Sequence, residues 1–304
     1  MSYIKPFLPI DKQIRLLKTR GLRISDSEYE IAKQFFLNNN YYRISGYSLT
    51  LRKNDKFYNN ASLKVLMQIY EADRCMRHLL LLIAEIVEVR IKSLIAYYHS
   101  KEYGPLGYLD INNFGYLKNG KANLQANYLD IIKKADRQKE NLKGSELFIK
   151  HHVENKDGNM PFWVYFEILT MSDISKLYTL LDTNLQKKIA EELGFKFSQN
   201  NIIVGNLLHC IAILRNICAH GGRLYNRLFT RKPRLSRHEK LLLRKENGVP
   251  VYDKLFSYIL VLKSLTQPKD FKLLVEHINL IHKQYPLVDF KHYGFPNDWR
   301  KILN

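Results

Sequence analysis

Leu214-Arg215-Asn216-Ile217-Cys218-Ala219-His220-Gly221-Gly222-Arg223 closes an apolar run that begins at Asn201. The run predicts a helix that starts near Ser198 and ends at Ala219. Two glycines stop it, because glycine takes the left-handed cap conformation without a side-chain penalty. Arg215 and His220 therefore fall in the last turns of a buried helix and at its exit. The helix dipole favours a charged histidine at that end. Arginine adds a permanent cation with a planar fork suited to phosphate. An arginine and a histidine at a helix end are groups that metal-independent RNA cleavage can use.

The spacing of Arg215 and His220, with four residues between, is common in a basic chain. Arg231 and His238 make a similar pair around Pro233, in a stretch that reads as loop. Context separates the first pair: Asn216 follows the arginine, Ala219 precedes the histidine, and a glycine stop comes after. The plainer reading is a helix cap, with His220 bonding the last carbonyls and Arg215 paired with an acid.

Working outward, the 304 residues are 46% hydrophobic, with 20 Tyr and 15 Phe but only 14 Gly and 9 Pro, so long helices fit better than turn-rich sheet. Helices are expected over 10–19, 25–37, 62–100, 122–142, 172–182, 184–193, 198–219, 252–265 and 269–284. A further helix opens at Pro161 with Trp163, Tyr165, Phe166, Ile168 and Leu169. Residues 106–120 read as loop. Strands are scarce, so the fold class is all-α. The chain reads as one domain, 1–304, with an N-terminal helical subregion (1–60), a core (61–230), and a basic linker with C-terminal helices (231–304).

Net charge is +19, which points to polyanions, nucleic acid before anionic membrane. Between Arg223 and Lys245 stand nine Lys or Arg against one acid, Glu239. Arg223, Tyr225, Arg227, Arg231, Lys232, Arg234 and Arg237 are the candidate RNA-binding residues. A solvated charge run is the alternative. Tyr41, Tyr42 and Tyr47 around Arg43 suit either base stacking or, more simply, a half-buried corner. Glu85 and Glu88 share a helical face, where they could orient a base, hold a metal or pair with arginines of neighbouring helices.

No cofactor motif and no metal site is expected. Cys210 and Cys218 lie about 12 Å apart along one helix, too far to share a zinc ion. No membrane span is expected either, since the apolar run Leu79 to Ala84 is far short of ~20 residues. The start, Met1 to Pro6, lacks a signal-peptide core. Three cysteines without a CxxC fit a reducing cytoplasm.

Five blocks together resemble the abortive-infection D/F (Abi-2) family of bacterial anti-phage proteins: Tyr41 to Tyr47, Glu85 to Arg90, Pro161-Phe162-Trp163 with Glu167, Arg215 to His220, and Gly294-Phe295-Pro296. That family sits in the α-helical HEPN superfamily, whose Arg–polar–His signature is matched by Arg215, Asn216 and His220. The resemblance implies a HEPN-like core over 61–230 and a homodimer that joins two Arg–His pairs in one cleft. It also implies metal-independent RNA cleavage leaving a cyclic phosphate, and a toxin restrained by a structured non-coding RNA. A non-catalytic protein that holds such an RNA is the alternative.

Overall fold

The computed structural model describes residues 7–115 and 122–304. Its helices follow in chain order: α1 (Ile10–Thr19), α2 (Tyr29–Asn39), α3 (Tyr41–Tyr47), α4 (Leu63–Tyr103), α5 (Ala122–Leu142), α6 (Leu147–Asn155) and α7 (Phe162–Tyr165). Then come α8 (Met171–Leu180), α9 (Thr183–Glu192), α10 (Asn200–Ala219), α11 (Arg237–Leu241), α12 (Leu255–Leu265), α13 (Pro268–Gln284) and α14 (Trp299–Leu303). Two antiparallel hairpins of two-residue strands are the only sheet among the described residues. The all-α expectation holds.

The 41 residues of α4 make a rod about 60 Å long at 1.5 Å per residue. The Ser62 hydroxyl caps its start by accepting from the Val65 amide, and Gly104 ends it with a positive φ of 79°. Against this rod pack α10, α13, α9, α12 and α3. Helix α10 also touches α8, α9 and α12, so one side of it is packed in the bundle, while Ile202, His209 and the His220 that follows it stay exposed. One apolar cluster runs from Ile14 to Leu303. The C-terminal aromatics dock the tail on the body, with Phe295 against Phe256 and Trp299.

The centre of this packing is polar. Asp73 of α4 is fully buried. Its carboxylate accepts from the Tyr47 hydroxyl at 2.7 Å, the Tyr293 hydroxyl at 3.1 Å, and the amides of Leu224 and Tyr225 at 3.2 and 2.6 Å. Arg77, one turn along α4, completes an ion pair with it and donates to Tyr47. One carboxylate thus ties α3, α4, the segment after α10 and the C-terminal tail.

Several expectations are corrected. The helix opened at Pro161 is a single turn, α7, followed by a 3-10 turn over Phe166–Ile168. Thr170 and Asp173 form a capping box that starts α8 instead. Helix α9 starts one residue before the expected 184, because the Asp182 carboxylate caps it by accepting from the Asn184 amide. Residues 107–113 hold two 3-10 turns rather than plain loop, and the part of that loop beyond 115 lies outside the described residues. His238 sits in α11, because Ser236 and Glu239 form another capping box. Finally, α10 is long and apolar enough to cross a membrane, which the short run in α4 did not suggest; its place inside the bundle accounts for that composition.

Two predictions concern stability. Asp73→Ala leaves the buried Arg77 charge without its carboxylate and four further donors unpaired, so urea unfolding should show a loss of about 3–5 kcal/mol. His99 is the second case: fully buried against Phe114 and Phe162, with neither ring nitrogen partnered. Burial pushes its pKa down from 6.5 to about 4. Below pH 6.5 the unfolded chain takes up a proton that the folded chain refuses. Stability is therefore undiminished by this group above pH 6.5 and falls by about 3 kcal/mol as pH drops towards 4. His99→Phe should flatten that part of the pH–stability curve.

Candidate functional site

The end of α10 is built as a Schellman turn. The Gly222 amide donates to the Ile217 carbonyl at 2.7 Å and the Gly221 amide to Cys218 at 3.0 Å. Gly221 takes φ +65°, the left-handed region that glycine enters without strain. A Cβ on Gly222 would lie 3.0 Å from the Ile217 side chain, so this turn is also tight. His220 occupies the cap position immediately before it. Its ring is exposed and makes no side-chain hydrogen bond among the described residues.

The loop carrying His220 is pinned from two sides. Arg43 of α3 donates to the Gly221 carbonyl and lies over the Tyr70 ring. Asp73 holds the Leu224 and Tyr225 amides three residues further on. An exposed imidazole is thus presented on a backbone that is held in place.

Arg215 points elsewhere. At about 100° per residue, five residues put it about 140° round the helix from His220. Its Nε lies 3.4 Å from Glu88 Oε2 on α4, and Lys92 lies 3.4 Å from the other carboxylate oxygen. The Arg215 side chain keeps about a third of its surface exposed, at 33%. Asn216 shares the side of α10 nearer His220, and its amide donates to Ser172 Oγ of α8 at 3.0 Å. The acid partner expected for Arg215 in the plain cap reading is therefore present. His220 bonding of the last carbonyls is not.

The other candidates divide. Tyr225 is buried, with its hydroxyl 3.3 Å from Thr50, so it cannot stack on a base as the sequence suggested. Arg223 and Arg227 are half-buried and donate to main-chain carbonyls of Tyr225 and Arg223, so they shape the turn. Arg231, Lys232, Arg234 and Arg237 are exposed. In the tyrosine cluster Tyr47 is core and Tyr41 is partly buried, as a structural corner requires; Tyr42 alone stands out, 85% exposed. It borders a hollow with Arg43, Arg52 and Arg223 beside the His220 loop.

Among the described residues no three His, Cys, Asp or Glu side chains come together to hold a metal. Burial pushes the Cys210 and Cys218 thiols up to about 11 and about 12, which leaves them neutral and poor nucleophiles. Asp73 and Ser172 are supports of this region that the sequence alone does not single out, and Arg43, noted there only with its tyrosines, supports the turn after α10. The signal for Asp73 is its place four residues before Arg77, inside an apolar stripe where charges are rare. The roles of Arg43 and Ser172 are not local, because their partners lie 178 and 44 residues away.

A family model described as "Abi-like protein" matches residues 34–226, a span that holds Arg43, Asp73, Glu88, Arg215 and His220. No curated protein and no solved structure matches the chain.

If Arg43 holds the turn, Arg43→Ala should speed hydrogen exchange of the Gly221 and Gly222 amides by about tenfold or more, while core amides of α4 keep their protection. Unchanged exchange in the turn would show that Asp73 suffices.

Proposed function

The chain belongs to the Abi-like protein family, and we propose that it is an endoribonuclease of abortive-infection phage defence that acts at His220. The observation that carries this reading is the state of His220: an exposed, unpartnered imidazole on a pinned, glycine-capped helix end. Cations crowd the segment that follows, in a chain of net charge +19. Imidazoles exchange protons near neutrality, and a fixed cationic surface holds a polyanion. Family membership supports the anti-phage role.

In the proposed reaction the ribose 2′-hydroxyl attacks the adjacent phosphate. His220 accepts its proton, the P–O2′ bond forms, and the P–O5′ bond breaks. The departing 5′-oxygen takes a proton from a second acid, leaving a 2′,3′-cyclic phosphate and a 5′-hydroxyl. One chain offers a single histidine at this place. A homodimer supplies the second from another copy's His220, and turns a second Arg215 towards the same cleft. Arg215, released in part from Glu88, offers its Nη groups to the charge that builds on phosphorus. Asn216, held by Ser172, keeps the approach to His220 in shape. The reaction needs no cofactor. Cytoplasmic RNA is the substrate class, and a structured RNA is the fitting restraint on such a toxin.

A second reading is binding without cleavage, with a structured RNA held on the basic surface. The pairing of Arg215 with Glu88 on the side of α10 away from His220 favours it.

The test is purified protein, freed of copurifying nucleic acid, on bacterial total RNA in EDTA. Wild type should give fragments with cyclic phosphate ends. His220→Ala should lower the rate by about 10²–10⁴-fold and Arg215→Ala by about 10²–10³-fold, with thermal unfolding little changed. Intact RNA that stays bound to wild type at moderate salt would favour the binding reading. Full activity in both variants would remove the mechanism.

A further inference from the structure

The solvent side of α10 does not end at His220. Ile202, Gly205, His209, Ile213, Asn216 and His220 recur every three or four residues as its exposed or half-buried positions, so they lie along one stripe. Helix α8 faces that stripe with Ser172, Ser175, Lys176 and Thr179, again at helical spacing. At one end of the groove Asn216 meets Ser172 at 3.0 Å. At the other end, eleven residues from His220 and about 16 Å along the helix, it widens into a cleft of about 380 Å³.

That cleft is cationic and formed in advance. Lys176 and Thr179 line it from α8, His209 and Gly205 from α10, and Arg231 and Arg234 from the segment after α10. No Asp or Glu is among its lining residues. Among the described residues neither Arg231 nor Arg234 has a carboxylate within salt-bridge distance. Lys176 has only Asp130, at 3.9 Å, and Asp130 sits closer to Lys134, at 2.6 Å. The segment bearing the arginines is fixed to the bundle. The Arg234 amide donates to Asn206 Oδ1 at 2.7 Å, and Tyr258 of α12 donates to the Arg231 carbonyl at 2.7 Å. Both anchoring side chains are buried. Gly205 has no side chain, and a Cβ there would already touch Tyr178 at 3.5 Å, so the floor stays open where the helices come close. Burial and the neighbouring Arg231 and Lys176 hold the His209 pKa below its ordinary value, as an unneutralised cation cluster requires.

We infer that this cleft binds a phosphate of the same RNA strand whose scissile phosphate meets His220, with Lys176, Thr179, His209, Arg231 and Arg234 as its ligands. This rests on the reading of the chain as an RNA-binding enzyme. The groove between α8 and α10 would then be the track of the strand, spanning about five nucleotides if they stack at about 3.4 Å each. The uncleaving His220→Ala protein therefore should bind a 12-nucleotide single-stranded RNA through this second site.

The test compares three full-length proteins on that RNA: His220→Ala alone, with Arg231→Ala and Arg234→Ala added, and with Lys176→Ala added. Affinity is read across a salt series. The added changes come from two separate elements, so damage to one loop cannot mimic both. Each cation withdrawn from the phosphates of a single strand should flatten the plot of log K against log salt by about 0.7. We expect the slope to flatten in both derivatives and the arginine pair to weaken binding about tenfold. Unchanged slope and affinity in both would overturn the cleft assignment and leave the enzyme reading standing. No RNA binding by His220→Ala itself would overturn both. Inorganic phosphate or a mononucleotide held at the cleft, with RNA affinity unaffected by the substitutions, would assign the cleft to a small phosphate ligand and overturn it as an RNA subsite.

Discussion

The structure depends on one buried carboxylate. Removing a carboxylate from water costs several kcal/mol, a cost that excellent partners must offset. Asp73 has five: two tyrosine hydroxyls, two main-chain amides and a guanidinium. Their positions are far apart in sequence, at Tyr47, Tyr293, Leu224, Tyr225 and Arg77. An apolar core could hold these segments together without fixing their register. A carboxylate cannot, because each lone pair accepts from one direction. The segment after α10 is thereby held at a defined height against α4, and His220 with it.

This arrangement separates support from chemistry. The support lies inside and is bonded to the chain: buried Asp73 with Arg77, half-buried Arg43 on the Gly221 carbonyl, and buried Asn206 and Tyr258 on the basic segment. The groups that face solvent are left with few partners: His220, the edge of Arg215, Lys176, Arg231 and Arg234. A charged surface built this way keeps its shape when empty, so little ordering is required on binding a polyanion. The same division explains why Arg223, Arg227 and Tyr225, although inside the basic run, serve the fold. They lie beside the amides bound to Asp73; Tyr225 turns inward, and the two arginines bond main-chain carbonyls of the turn.

Much of the architecture is legible in the sequence because it is local. The apolar period, Ser62 as a cap and the glycines after His220 each act within a few residues, and the helices lie close to where these signals put them. Asp182 and the Ser236–Glu239 box are local as well, but the neighbouring Asn184 and the surrounding charge run mask them. The single turn at α7 is less accessible, since an apolar run of that length reads equally as one helix or two pieces. The site is legible only in part. The exposure of His220 follows from a glycine stop, whereas the burial of Tyr225 follows from Asp73, 152 residues away. Charge counting cannot tell cations that line a cleft from cations that brace a turn, because both look alike in composition. Nor does the apolar length of α10 separate a bundle centre from a membrane span until its neighbours are known.

The claim that most of the functional account rests on is that His220 meets the reacting phosphate. The most direct measurement is a structure of the wild-type protein bound to an RNA with a single 2′-deoxy nucleotide at the mapped cleavage position, which lacks the attacking hydroxyl. The account predicts that phosphate within hydrogen-bond reach of His220, with Arg215 turned towards it and the strand continuing along the groove between α8 and α10. RNA ordered on another face, with His220 still in solvent and Arg215 still on Glu88, would contradict it.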